Sequence, residues 1–132
     1  MESSFKVRYA ETDAQGVVYH GNYAVWFEVG RTDYCESAGY PYPRMEAEGT
    51  FIVVTELRAR YRRSARYGDT VSVRTRFGGM RSRACTFLYE VALPDGTLCA
   101  EGETHHLFLD RQGRPTPIPE GVRRAFEAFL AG

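Results

Sequence analysis

An acidic residue, a glycine and a histidine lie close together in the segment ETDAQGVVYHGNY, residues 11–23. Gly16 follows Asp13 and allows the backbone to turn sharply and to approach a ligand closely. His20 stands just before an apolar stretch that is typical of a helix. The first N–H groups of that helix, near residues 20–23, have no partner within the helix and can stabilise a developing negative charge. The spacing therefore predicts a carboxylate and an oxyanion site that face one space.

This pair of groups suits the hydrolysis of a thioester. A thiol has a pKa of about 8.5, so its thiolate leaves with little help from a general acid. Asp13 would attack the carbonyl carbon as a nucleophile, or activate a water molecule as a general base, and both roles stay open. The chain lacks the motifs GxSxG, HExxH and GxxxxGK[ST], and no GxGxxG follows a strand.

One long helix is predicted directly after this segment. Residues 23–38 contain no proline, follow Asn22 as a candidate N-cap and end before Gly39. The first half of the helix is apolar on nearly all sides, which indicates burial on more than one side. Pro41 and Pro43 then predict a loop.

Five strands and a terminal helix account for the rest of the chain. The predicted strands span residues 4–10, 51–61, 70–77, 83–93 and 97–109. In the second strand, the odd-numbered residues from Phe51 to Tyr61 are expected on one apolar face, and in the third strand residues 71, 73, 75 and 77 face inward. Residues 120–131 predict a helix. This order predicts an α+β fold of one domain, residues 1–132, whose long sheet edges favour dimerisation.

Arginine is concentrated in one part of a chain whose net charge is zero. Nine arginines and only one acid, Asp69, lie between Arg58 and Arg83. Either an anionic partner docks there, or the arginines occupy the solvent side of strands. A nucleic-acid-binding β protein, with Tyr61 and Tyr67 among its stacking groups, is therefore an alternative. It leaves the segment with Asp13 unexplained.

Composition excludes several other classes of protein. Three cysteines, widely spaced and in no CxxC arrangement, are expected in the core rather than in disulfides or a zinc site. The N-terminus lacks a secretory signal and no apolar run approaches about 18 residues, so a cytoplasmic location without membrane contact is expected. His105 and His106 are neighbours on a strand and point to opposite faces, so no joint metal site is expected.

The residues that carry a resemblance to a known family are 9–23, followed by Trp26, Phe27, Glu28 and Arg31. With this motif the chain resembles the 4-hydroxybenzoyl-CoA thioesterase family of hotdog-fold proteins, and within it the bacterial acyl-CoA thioesterases of the YbgC type. Weaker similarity covers almost the whole chain. The resemblance implies a hotdog fold, in which a five-stranded antiparallel sheet wraps around one long central helix, with a short C-terminal helix.

The resemblance also implies roles for individual residues. Asp13 is the implied catalytic carboxylate, and the backbone N–H of His20, together with its side chain, is implied to act on the thioester carbonyl. Glu28 stands where hydroxybenzoyl-CoA enzymes have an aspartate that meets the substrate hydroxyl, although a buried ion pair between Glu28 and Arg31 is an equal alternative. Tyr19 and Tyr23 are candidate walls of the acyl pocket.

Binding of CoA and oligomerisation are implied as well. Arg81 and Arg83 match the place where relatives present basic residues to the CoA phosphates, which arginine can bind in a bidentate manner. Relatives form homodimers or homotetramers with the active site at the subunit boundary. CoA is part of the substrate, so neither a separate cofactor nor a metal is expected. A non-catalytic module that binds acyl-CoA is the remaining alternative.

Overall fold

The computed structural model describes residues 1–132. Its elements are β1 (Glu2–Lys6), a 3-10 turn (Tyr9–Glu11), α1 (Asn22–Ser37), α2 (Tyr42–Ala47), β2 (Phe51–Tyr61), β3 (Thr70–Met80), β4 (Ala84–Ala92), β5 (Leu98–Leu109) and α3 (Glu120–Ala131). The strands form one antiparallel sheet in the order β1-β3-β4-β5-β2. The predicted α+β fold, with five antiparallel strands and one long helix against them, is confirmed.

Helix α1 packs closely on one face of the sheet. Phe27 of α1 is fully buried, and its ring stacks on that of Tyr89 in β4, with 4.4 Å between the centroids. Gly30 allows this close approach, because a Cβ atom there would overlap the Thr75 hydroxyl and lie 2.9 Å from Cγ1 of Val73. The core of the molecule therefore lies between α1 and the sheet.

The inner face of the sheet alternates as the sequence predicts. Val71, Val73 and Thr75 are buried, and Phe77 is partly buried against the core. At the far end of α1, α3 covers the core with Val122 and Phe126. The three cysteines, at positions 35, 85 and 99, are free and buried, as predicted. None of the helices combines the length and the apolar composition that a membrane crossing requires.

Three predicted elements differ in the structure. The third strand does not end at residue 77, because β3 continues past Gly78 to Met80 with a shift of register between Phe77 and Gly79. The first strand ends at Lys6 rather than at residue 10, because the chain leaves the sheet and forms the 3-10 turn that begins with Tyr9. A short helix, α2, replaces the loop predicted after Pro41. Proline is tolerated in the first turn of a helix, where the missing N–H has no partner to lose, and burial of Met45 stabilises this turn.

Strand β2 contains a bulge, and the residues that point toward the core change there from even-numbered to odd-numbered positions. Ile52 lies opposite the buried Phe108, whereas after the irregularity between Val54 and Glu56 it is Leu57 that lies opposite the buried Thr104. Residues directly opposite each other in an antiparallel pair share a face. The predicted inward face is therefore correct from residue 57 onward and wrong for residues 51 and 53.

Candidate active site

The loop that carries Asp13 is closed by its own backbone. The Asp13 N–H donates to the Val17 carbonyl at 2.9 Å, and the Gly16 N–H donates to the Asp13 carbonyl at 3.0 Å. Gly16 has a φ of 80°, which favours glycine. The Val18 N–H donates to the Ala65 carbonyl at 2.9 Å, which ties the loop to the segment after β2. The carboxylate is thus presented from a defined turn.

One oxygen of the Asp13 carboxylate is free. Oδ1 accepts a hydrogen bond from the Gln15 N–H at 2.9 Å, whereas Oδ2 makes no hydrogen bond within the chain. The side chain is half-buried. Asp13 therefore combines an oriented carboxylate with an oxygen that can act on a ligand.

The two residues directly before α1 have unpaired backbone N–H groups. The backbone N–H groups of His20 and Gly21 make no hydrogen bond within the chain. The next two N–H groups are engaged, since Asn22 donates to the Tyr19 carbonyl at 2.9 Å and Tyr23 donates to the His20 carbonyl at 3.3 Å. Of the backbone N–H groups at residues 20–23, which the sequence predicts to be free, only those of His20 and Gly21 are unpaired. Both lie at the positive end of the helix dipole.

Asn22 does not cap the helix as predicted. Gly21 occupies the N-cap position, and no side chain caps the helix there. The Asn22 side chain turns back instead, and its Nδ2 donates to the Glu11 carbonyl at 2.8 Å. Asn22 thus holds the loop against the helix rather than satisfying the first N–H groups.

The structure brings three of the predicted site residues into one cavity. Asp13, His20 and Tyr23 line a cavity of about 340 Å³. Tyr61, at the end of β2, completes an aromatic wall, and its hydroxyl donates to the His20 carbonyl at 3.3 Å. Arg62 stands at the same cavity. A carboxylate and the amino end of a helix therefore face one space, where a carbonyl group can lie between them.

Two predicted substrate contacts lie outside this cavity. Tyr19 is 49% exposed, and its ring centroid lies 4.4 Å from that of His20. Glu28 is exposed on α1 beside Val25 and Val29. It forms no ion pair with Arg31, so the alternative of a buried pair is wrong.

The predicted CoA-binding arginines lie at a different part of the surface. Arg81 and Arg83 are both exposed in the turn between β3 and β4. Arg81 lines a second cavity of about 340 Å³ beside the Gly78–Gly79 irregularity of β3, together with His105. The chain alone therefore does not bring these arginines to Asp13.

The arginine-rich segment faces glutamates on the outer side of the sheet. Arg62 pairs with Glu101 at 2.8 Å, and Arg74 pairs with Glu90 at 3.7 Å. In register, arginines on the flanking strands β2 and β3 enclose glutamates on β4 and β5. Exposed pairs of this kind stabilise a protein little, but they neutralise the face. This supports the solvent-side interpretation and weakens the case for a nucleic-acid-binding protein.

The two neighbouring histidines lie on opposite faces, as predicted. His106 is buried, its Nε2 lies 2.7 Å from the Thr104 hydroxyl, and burial lowers its pKa to about 3, so the ring is neutral at pH 7. His105 lies on the outer face, where its Nε2 contacts Glu103 at 3.0 Å.

Sequence reasoning missed Glu11. This acid was included in the motif without a role, yet it is 5% exposed and accepts a hydrogen bond from the Trp26 indole N–H at 2.8 Å. Its one sequence signal is the position two residues before Asp13. The partner is 15 residues away in the chain, so no local pattern could have identified it.

Fold and site together define a hotdog-fold thioester hydrolase, with a five-stranded antiparallel sheet on a long helix and a carboxylate beside the start of that helix. The chain belongs to the thioesterase-like superfamily, whose family model matches residues 7–126. The resemblance predicted from the motif around Asp13 is confirmed.

Three similar proteins illustrate the relationship. The crystal structure of the hypothetical protein TT1821 from Thermus thermophilus is 47% identical with a TM-score of 0.92, covering 96% of this chain and 97% of that one. The DHNA-CoA thioesterase from Staphylococcus aureus is 33% identical with a TM-score of 0.92, covering 98% and 90%. The acyl-CoA thioesterase YbgC of Haemophilus influenzae is 32% identical over 128 residues, which are 93% of each chain.

Proposed function

We propose that the protein hydrolyses an acyl-CoA thioester to the free acid and CoA in the cavity that contains Asp13 and His20. The observation that carries this proposal is that Asp13 and His20 line one cavity and that the backbone N–H groups of His20 and the adjacent Gly21 have no partner within the chain. Membership of the thioesterase-like superfamily supports the same reaction.

The proposed reaction begins with the thioester carbonyl oxygen at the start of α1. The N–H groups of His20 and Gly21 donate to this oxygen and stabilise the negative charge that forms on it. In one route Asp13 accepts a proton from water while the water oxygen attacks the carbonyl carbon. The C–S bond then breaks, and CoA leaves as its thiolate. CoA is part of the substrate, and no separate cofactor takes part.

The second route makes Asp13 the nucleophile. Its free carboxylate oxygen attacks the carbonyl carbon, CoA leaves as the thiolate, and water hydrolyses the resulting mixed anhydride. The two routes differ in a covalent intermediate. Mass spectrometry of acid-quenched enzyme distinguishes them, because only the nucleophilic route adds the acyl mass to a peptide that contains Asp13.

An aromatic acyl group is the first to test. Tyr23 and Tyr61 line the cavity, and their ring centroids lie 5.4 Å apart at an angle of 62°. Rings in this arrangement form a suitable wall for another aromatic group. One relative is named for the hydrolysis of DHNA-CoA. A thiol-release screen with aromatic, branched and straight acyl-CoAs compares these classes directly.

The remaining assignments stay predictions from the sequence. We retain Arg81 and Arg83 as the proposed contacts of the CoA phosphates, since both are exposed cations. Tyr19 and Glu28, outside the cavity of their own chain, remain proposed substrate contacts. The His20 side chain remains a proposed participant, and a cytoplasmic location is unchanged as an expectation.

Replacement of Asp13 tests the proposed function. For Asp13→Asn we expect a fall in kcat of about 100-fold or more, the range typical of a lost general base, with binding of CoA retained. Thiol release measures the first quantity and isothermal calorimetry the second. A non-catalytic module would show binding without turnover in the wild type, and a nucleic-acid-binding protein would show neither.

Asp95→Asn is a closely matched control for this experiment. Asp95 Oδ1 accepts a hydrogen bond from the N–H of Thr97 at 2.9 Å, the same two-residue geometry that joins Asp13 to Gln15. Asparagine supports such turns as well as aspartate does. The control should keep full activity, and Asp13→Asn at wild-type rate would contradict the proposal.

A further inference from the structure

Glu11 is a buried acid whose carboxylate is satisfied by two elements. One oxygen, Oε1, accepts the backbone N–H of Arg8 at 2.8 Å, and the other, Oε2, accepts the indole N–H of Trp26 at 2.8 Å. The Glu11 side chain is 7% exposed, whereas the Arg8 side chain is 75% exposed. The guanidinium of Arg8 approaches Oε2 only at 3.5 Å. The acid therefore joins the chain before the loop to the second turn of α1.

The backbone carbonyl of Glu11 holds the same helix at its first turn. It accepts the N–H of Tyr19 at 2.9 Å and the side-chain Nδ2 of Asn22 at 2.8 Å. These two donors lie on either side of His20 and Gly21 in the chain. In the chain, the unpaired N–H groups of the proposed oxyanion site are therefore flanked on both sides by residues that bind the Glu11 carbonyl. Asp13 follows Glu11 by two positions.

We propose that Glu11 is a positioning residue that sets the distance between the Asp13 carboxylate and the free N–H groups at the start of α1. Glu11 does not line the cavity with Asp13 and cannot touch a thioester there. It acts through the loop and the helix that it joins. This inference rests on the proposed function for its effect on rate.

A carboxylate is required here because both partners are donors. The N–H of Arg8 and the indole N–H of Trp26 each need an acceptor, and glutamate offers one oxygen to each. Glutamine offers one oxygen and an NH₂ group, so one N–H would face another N–H in a buried place. The loop would then move away from the helix to relieve the conflict.

Glu11→Gln tests this directly. We expect kcat for acyl-CoA hydrolysis to fall about 10- to 100-fold, the effect of a displacement of about 1 Å at the reacting groups, with KM changed less than about twofold. Trp26→Phe, which removes the other donor, should act in the same direction. In the double variant the NH₂ group of the introduced glutamine no longer meets the indole N–H. The fold-decrease in kcat should therefore be smaller than the product of the two single decreases.

A matched control and a second variant separate positioning from folding. Glu120→Gln alters an exposed pair with Arg124 on α3 and should leave kcat unchanged. All variants are compared at a temperature well below their melting temperatures, so that only folded enzyme is measured. If Glu11→Gln does not fold, Asn22→Ala is the second variant, because it removes only the Nδ2 contact to the Glu11 carbonyl. It should lower kcat by a larger factor than it changes KM.

A spectroscopic measurement is independent of turnover. Trp26 is the only tryptophan of the chain, so its indole N–H provides a single NMR signal. In Glu11→Gln we expect this signal to shift, together with the amide signals of His20 and Gly21. Folded Glu11→Gln with wild-type kcat, or a shift confined to the indole, would overturn the proposal. If the wild type cleaves no thioester, the proposed function is refuted. The role of Glu11 in positioning the loop is still tested, because the amide shifts of His20 and Gly21 do not depend on turnover.

Discussion

Two acids that stand two residues apart, Glu11 and Asp13, have opposite surroundings. Glu11 is buried with donors on both carboxylate oxygens, whereas Asp13 is half-buried with one oxygen free. Burial raises the pKa of the Glu11 carboxyl, but the hydrogen bonds from the Arg8 backbone and from Trp26 outweigh it and hold the pKa below its ordinary value. At the residue scale, one acid therefore stabilises structure while the other is available for chemistry.

A pH dependence of stability follows for Glu11. Because its pKa is lower in the folded chain than the ordinary value of 4.5, the charged carboxylate stabilises the fold above that pH, and this stabilisation is lost as the pH falls through the folded pKa. The facing groups are Arg8, which keeps its charge in this range, and the neutral Trp26 indole. Urea unfolding from pH 7 to pH 3 should show the difference between wild type and Glu11→Gln shrinking below about pH 4.5. A constant difference would contradict this.

At the scale of elements, α1 approaches β3 closely at a position where the helix has no side chain. Gly30 makes this contact, with Thr75 and Val73 directly opposite. This packing also determines where the start of α1 lies relative to the loop with Asp13, since a helix moves largely as a unit.

Gly30→Ala is predicted to destabilise the fold by about 1–3 kcal/mol, the cost of overpacking a well-filled core. The added methyl group meets the Thr75 hydroxyl and Cγ1 of Val73, so α1 must move outward. Urea unfolding measures the change. The control is Ala24→Gly in the same helix, which measures the size of a helix-propensity effect alone. Gly39→Ala would not serve, because Gly39 has a φ of 83° and a side chain there is strained. An unchanged free energy of unfolding for Gly30→Ala would contradict the close-packing explanation.

At the scale of the whole molecule, β2 is an edge strand of the sheet with one side unpaired. Strand β2 pairs with β5 on one side only, and its inward residues Val54, Leu57 and Tyr61 remain 45%, 41% and 51% exposed. An edge strand of 11 residues that exposes apolar side chains favours pairing with another strand. We propose that a second copy of the chain pairs along β2 to form a homodimer, itself a unit of the predicted homotetramer. Because Tyr61 lines the cavity with Asp13, the partner would border the active site.

Leu57→Arg tests this assembly. The substitution adds a charge at the proposed boundary that the partner would bury, so we expect sedimentation to shift from the wild-type oligomer to the monomer, with a loss of hydrolysis of at least about tenfold. The control is Leu130→Arg, at an exposed leucine of α3 (57% exposed), which should change neither. A wild-type chain that sediments as a monomer would refute the proposed dimer.

The sequence determined the features that depend on neighbours in the chain. The alternation of apolar residues predicted the strands, the apolar run after residue 22 predicted α1, and the spacing of Asp13 and His20 predicted a carboxylate near a helix start. These inferences succeeded because periodicity and helix ends are local properties of the backbone. The errors at residues 7–10 and 42–47 arose where packing overrode local propensity.

Only the tertiary structure decided which distant groups meet. The bulge in β2, the pairing of arginines with glutamates across strands and the bond between Glu11 and Trp26 join residues that no periodic pattern relates. Each depends on register and on the packing of α1 against the sheet. The physical reason is that a hydrogen bond or an ion pair requires contact within a few ångströms, and for residues far apart in the chain only the folded backbone sets that distance.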